Sequence, residues 1–63
     1  MMDVFELLTS QINEQVAGVE EALVSGRLTS YEEYKRLCGE IRGLLIARDL
    51  VKDLKNRMET DND

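Results

Sequence analysis

The sequence predicts an all-α chain folded as an antiparallel two-helix hairpin, and three observations carry that expectation. The 63 residues contain no proline, and no segment alternates apolar with polar residues as a strand would. Two long stretches each open on a capping signature and continue with apolar residues at helical spacing. A single short glycine-bearing loop lies between them, so the two helices must run side by side in opposite directions.

The first helix is expected over about residues 3–25. Asp3 and Glu6 stand three apart, the spacing of a capping box. Apolar residues then recur as Phe5, Leu8, Ile12, Val16, Val19 and Leu23, in steps of three and four that trace one face of a helix. Gln11, Asn13, Glu14, Gln15, Glu20 and Glu21 lie off that stripe. Ser25-Gly26 closes the helix, because glycine takes the left-handed conformation beyond a helix end without a Cβ clash.

The loop is expected at about residues 26–30. Ser30 with Glu33 makes a second capping box, and Thr29 with Glu32 reads equally well one residue earlier. The second helix then runs over about residues 31–59. Its inner stripe is Tyr34, Leu37, Ile41, Leu44, Val51, Leu54 and Met58, with Ala47 or Arg48 bridging the gap. At ~1.5 Å per residue this helix is roughly 43 Å long against roughly 34 Å for the first, so it overhangs around Leu54 to Met58. The acidic tail, residues 60–63, is expected to fray.

A chain of this length is one domain, residues 1–63, and a unit so small buries only about 60% of the surface of its unfolded chain. Small scaffolds make up the shortfall with disulfides, a metal or a partner. Cys38 is the sole cysteine, which excludes an internal disulfide, and the absence of histidine disfavours a zinc site. Association with other protein, or with itself, is the expectation that remains. Net charge is -5, and all eight Lys and Arg fall after Gly26. An acidic chain of this kind is poorly suited to neutralising phosphates, so nucleic acid is not an expected partner. The longest apolar run, Leu44-Leu45-Ile46-Ala47, is far short of the ~20 residues of a membrane span. The N-terminal residues carry Asp3 and Glu6 without a basic residue, unlike a secretory signal, and a single thiol suits synthesis in a reducing cytoplasm.

Catalytic chemistry finds no constellation. Histidine is missing, no Ser or Cys pairs with a base, and Gly39 and Gly43 lie inside a helix rather than in a phosphate loop. No catalytic residue, cofactor or small-molecule substrate is expected. Cys38, beside Leu37 and Ile41, reads as a small buried hydrophobe, and the terminal carboxylates as a solvated tail.

Three features of the second helix bear on binding. Gly39, Gly43 and Ala47 are spaced by four and form a ridge of small residues, and the first helix carries Gly18 and Ala22. Two interior glycines cost up to ~1 kcal/mol each, which asks for a reason. Either the ridges meet inside the hairpin, with Gly18 near Gly39, or the second-helix ridge is a groove for another chain. Leu45, Ile46 and Leu50, with Val4 and Leu7, lie off the inner stripes, more apolar surface than one seam can cover. The basic residues Arg48, Lys52 and Lys55 are expected mainly as surface charges, with Asp49–Lys52, Asp53–Arg57 and Glu32–Arg36 pairing along the helix. The residues expected to hold a partner are Gly39, Gly43, Ile46, Ala47 and Leu50.

From Tyr31 the chain reads YEEYKRLCGEIRGLLIARDLVKDLKNRMETDND. This half resembles short, acidic-ended helical proteins encoded among the structural genes of tailed bacteriophages. The residues that carry the likeness are a Tyr ahead of Leu37-Cys38-Gly39-Glu40-Ile41-Arg42-Gly43-Leu44, then Ala47, Asp53-Leu54, and Arg57-Met58-Glu59 before the acidic end. They form a helix-surface pattern without a catalytic signature, and residues 1–26 share only amphipathicity. The resemblance implies a virion component of the head, portal or neck region, made in the bacterial host cytoplasm. The expected function is thus a non-enzymatic structural subunit that packs on other protein subunits. Two rivals stand beside it: a homodimeric four-helix-bundle regulator or adaptor, and a small acidic inhibitor whose first helix imitates nucleic acid.

Overall fold

The computed structural model describes residues 2–61. They form two helices, α1 (Val4–Val24) and α2 (Tyr31–Asp61), packed against each other along a single seam. The hairpin measures 52 × 21 × 11 Å, one helix layer thick.

Local chemistry sets each helix end. The Asp3 carboxylate accepts a hydrogen bond from the Glu6 amide at 2.7 Å, satisfying one of the donors left open at a helix start. At the other end of α1, Ser25 donates its hydroxyl to the Ala22 carbonyl at 2.8 Å, and Gly26 turns the chain at φ 77°. Ser30 is the cap of α2, accepting from the Glu33 amide at 3.1 Å. The Glu33 carboxylate reaches back to the amide and hydroxyl of Thr29, at 3.3 and 3.2 Å. The box therefore closes on the residue before the cap, and the alternative of Thr29 with Glu32 is not used. Helix α2 continues through Thr60 and Asp61, where a frayed tail was expected; Asn62 and Asp63 lie outside the described residues. The Thr60 hydroxyl donates to the Asn56 carbonyl at 2.8 Å within this last stretch.

The seam takes Phe5, Ile12, Val16, Val19 and Leu23 from α1, and Leu37, Ile41, Leu44, Arg48, Val51 and Lys55 from α2. Among the described residues Val16 and Leu37 are the buried ones, at 8% exposure each. Four residues assigned to the inner stripes are instead largely open: Leu8, Tyr34, Leu54 and Met58. Each residue turns a helix by ~100°, and the seam of α2 is centred on Leu37, Arg48 and Lys55, which puts Leu54 well to one side. Thr9 takes the inward position beside Leu8 and is half-buried. Tyr34 lies out by the loop, stacked on Tyr31 with ring centroids 6.3 Å apart.

The small-residue ridges do not meet. A Cβ added at Gly18, Gly39 or Gly43 would have no heavy atom of another part of the chain within 4 Å. The inner faces of the two helices are held apart by Val16, Leu37 and their neighbours, while these glycines point away from the seam. Close backbone approach inside the hairpin is thus not their role.

Candidate protein-docking face

The residues expected to hold a partner share one stripe of α2. Counting ~100° per residue from Leu37, which faces α1, places Ile46 almost directly opposite the seam, with Gly39, Leu50, Gly43 and Ala47 following within a ~100° arc. Burial agrees with that placement. Ile46 is 55% and Leu50 64% exposed, Gly39 and Gly43 are exposed, and Ala47 at the edge of the arc is half-buried. Leu54 falls in the same arc, and no charged side chain interrupts it between Gly39 and Leu54.

Leu54 was missed as a member of this stripe because its spacing from Val51 also fits the inner one. The residue that disqualifies it is Lys55, which occupies the seam itself. Its ammonium lies 3.0 Å from Glu6 and 3.3 Å from Asp3, so the start of α1 sits level with this part of α2. Since the helices are antiparallel, residues rotated the same way from the seam fall on the same face of the hairpin. Val4 and Leu8 of α1 thus continue the apolar surface begun by Leu54 and Met58, and all four are exposed. Farther along the same face Gln15, Val19, Glu40, Gly43 and Leu44 line a shallow groove between the helices.

The opposite face is polar, and it corrects the expectation about the basic residues. Asp49–Lys52, Asp53–Arg57 and Glu32–Arg36 form no ion pairs among the described residues; Arg36 pairs with Glu40 at 3.7 Å instead. Arg48 donates across the seam to the Asn13 side chain at 2.7 Å, beside a polar pocket lined by Thr9, Asp49 and Lys52. Two members of the basic stripe, Arg48 and Lys55, thus reach across to the first helix, Lys55 to its acidic start. The electrostatics follow the geometry: hydrogen bonding to Glu6 first, then to Asp3, holds Lys55 above its ordinary value of 10.5. The Glu6 amide, then Lys55, holds Asp3 below its ordinary 3.8.

Cys38 is half-buried at the edge of the seam. Among the described residues no cluster of three His, Cys, Asp or Glu side chains is placed to hold a metal ion, and no helix is long and apolar enough to cross a membrane. No family model, curated protein or solved structure matches the chain.

Proposed function

We propose that the chain is a non-enzymatic interaction subunit that works by burying the outer face of α2 against other protein. One observation carries the reading: the hairpin shields two side chains well and leaves Val4, Leu8, Ile46, Leu50, Leu54 and Met58 between 41% and 64% exposed. A surface with that many large apolar groups on one side of so small a molecule is the mark of an interface. The polar face, tied across the seam by Arg48 and Lys55, is the side left to solvent.

The virion assignment belongs to the same proposal and rests on the resemblance of residues 31–63 to small phage structural proteins. A thin helical hairpin with one sticky face suits a repeated position on a head, portal or neck, where each copy covers a small patch.

Ile46→Asp separates folding from docking. Ile46 touches the outer side alone, so the variant is expected to keep its helical circular dichroism and its hairpin. Burying a carboxylate in the interface should abolish association, read as loss of the chain from purified particles by quantitative mass spectrometry. A wild-type chain that is absent from particles overturns the virion assignment. A wild-type chain that is a folded monomer at every concentration, and that Ile46→Asp leaves unchanged in all its associations, overturns the docking function.

A further inference from the structure

The outer stripe of α2 is complementary to itself. Its small residues, Gly39 and Gly43, lie toward one end, and its large residues, Leu50 and Leu54, toward the other. Placing a second α2 antiparallel, with a two-fold axis level with the Ile46–Ala47 step, brings two matched pairs into register. Gly43 comes level with Leu50 of the second copy, and Gly39 with Leu54. Each sets a large side chain against a small one, and the two-fold axis repeats both; beside the axis Ile46 meets its own copy and Ala47 meets its own. This is the knob-and-hole matching by which helices interlock, on the self-complementary patch that a two-fold interface requires. A parallel arrangement would stack glycine on glycine and leucine on leucine, leaving a void at one end and a clash at the other.

We propose that the chain forms a homodimer through this antiparallel α2 contact. The proposal rests on the docking reading given above and names its partner. The register also accounts for charges the hairpin leaves unused. Arg42 and Asp53 flank the stripe on the same side, and neither takes part in the ion pairs formed among the described residues. Across the axis Arg42 of one copy comes to within about two residues of level with Asp53 of the other, twice by symmetry, within the reach of an arginine side chain. At the ends Arg36 comes level with Arg57 of the second copy, a like-charge approach that Glu40, 3.7 Å from Arg36, offsets.

The register is testable by size exchange and by cross-linking. Gly43→Leu should raise the dimer dissociation constant about tenfold or more by filling the hole. The hairpin tolerates that change, because an added Cβ at Gly43 enters open space. Adding Leu50→Ala to Gly43→Leu restores a large-against-small pair and should recover most of the lost affinity in sedimentation equilibrium. In a Cys38→Ser background, Ala47→Cys lies beside the axis and should oxidise to a covalent dimer. Leu54→Cys should not, because the two copies of that position are about 22 Å apart along the axis. Rescue by the double variant together with linkage at position 47 alone is the expected result. A dimer that links through position 54, or that the double variant fails to rescue, overturns this register while leaving docking through α2 in place. A folded wild-type monomer at high concentration overturns the homodimer, and the docking reading then stands or falls on the Ile46→Asp particle experiment.

Discussion

Gly18 and Gly26 show how differently one residue type acts at two positions. Gly18 sits inside α1 with ordinary helical backbone and open space where a Cβ would go, while Gly26 holds φ 77° to turn the chain. Gly18→Ala should therefore stabilise the protein by about 0.5–1 kcal/mol, the entropy glycine loses in a helix interior. Gly26→Ala should destabilise it by about 1 kcal/mol or more, because a Cβ crowds the backbone in the left-handed region. Urea titration of the two variants checks both signs, and a stabilising Gly26→Ala would contradict the turn geometry. Lys55 and Asp3 add a pH prediction at the same scale. The pKa of Lys55 is raised in the folded state, so its contribution is complete below 10.5 and lost as pH rises through the raised value. The pKa of Asp3 is lowered, so its contribution is complete above 3.8 and lost as pH falls through the lowered value. Between those limits, with no histidine in the chain, neither group changes the stability. Lys55→Met should remove the part of the alkaline loss that belongs to this cluster, as read by helical dichroism against pH. An unchanged alkaline limb in that variant would show that the seam-end cluster contributes nothing.

At the scale of the helices, the ends were legible in the sequence and the seam only partly so. Caps are local: Asp3 with Glu6, Ser30 with Glu33 and the glycine after Ser25 decide the helix boundaries within a few residues, whatever else surrounds them. Ser30→Ala should accordingly cost about 1 kcal/mol, measurable as a lower urea midpoint with unchanged slope. The seam depends on which of two apolar stripes faces inward, and α2 carries both. Arg48 and Lys55 take inner positions with their aliphatic stems in the seam and their charged ends on α1, so a count of apolar residues passes over them. It then recruits Leu54 and Met58 in their place. The same ambiguity hid Leu54 from the outer stripe proposed for docking, although Gly39, Gly43, Ile46, Ala47 and Leu50 could be placed by rotation from Leu44 alone. Truncation distinguishes the stripes energetically. Leu37→Ala removes one of the two well-buried side chains and should cost about 2 kcal/mol, the low end for core leucines, since the seam is open on both edges. If Leu37→Ala proves as mild as a surface change, the seam is not where the structure places it.

At the scale of the whole molecule, the decisive quantity is how little the hairpin buries by itself. Two helices one layer thick, with Val16 and Leu37 as the buried apolar residues among those described, at 8% exposure each, have no second layer to cover their outer faces. Such a chain gains stability from whatever covers its outer face, and that gain follows mass action: a partner that binds the folded state alone raises the unfolding free energy with its own concentration. On the docking proposal, folding and association are one equilibrium, and the melting temperature is expected to depend on protein concentration. Each tenfold dilution shifts the association part of the balance by ~1.4 kcal/mol, which for a small domain corresponds to a fall of several degrees. Calorimetry or dichroism of the wild-type chain across a hundredfold concentration range should show Tm rising steadily with concentration. Ile46→Asp should melt at the dilute-limit temperature throughout, with its midpoint independent of concentration. A wild-type chain that melts cooperatively, at high temperature and at one Tm across that range while sedimenting as a monomer would mean that the seam alone suffices, and that the exposed face of α2 does not hold the molecule together.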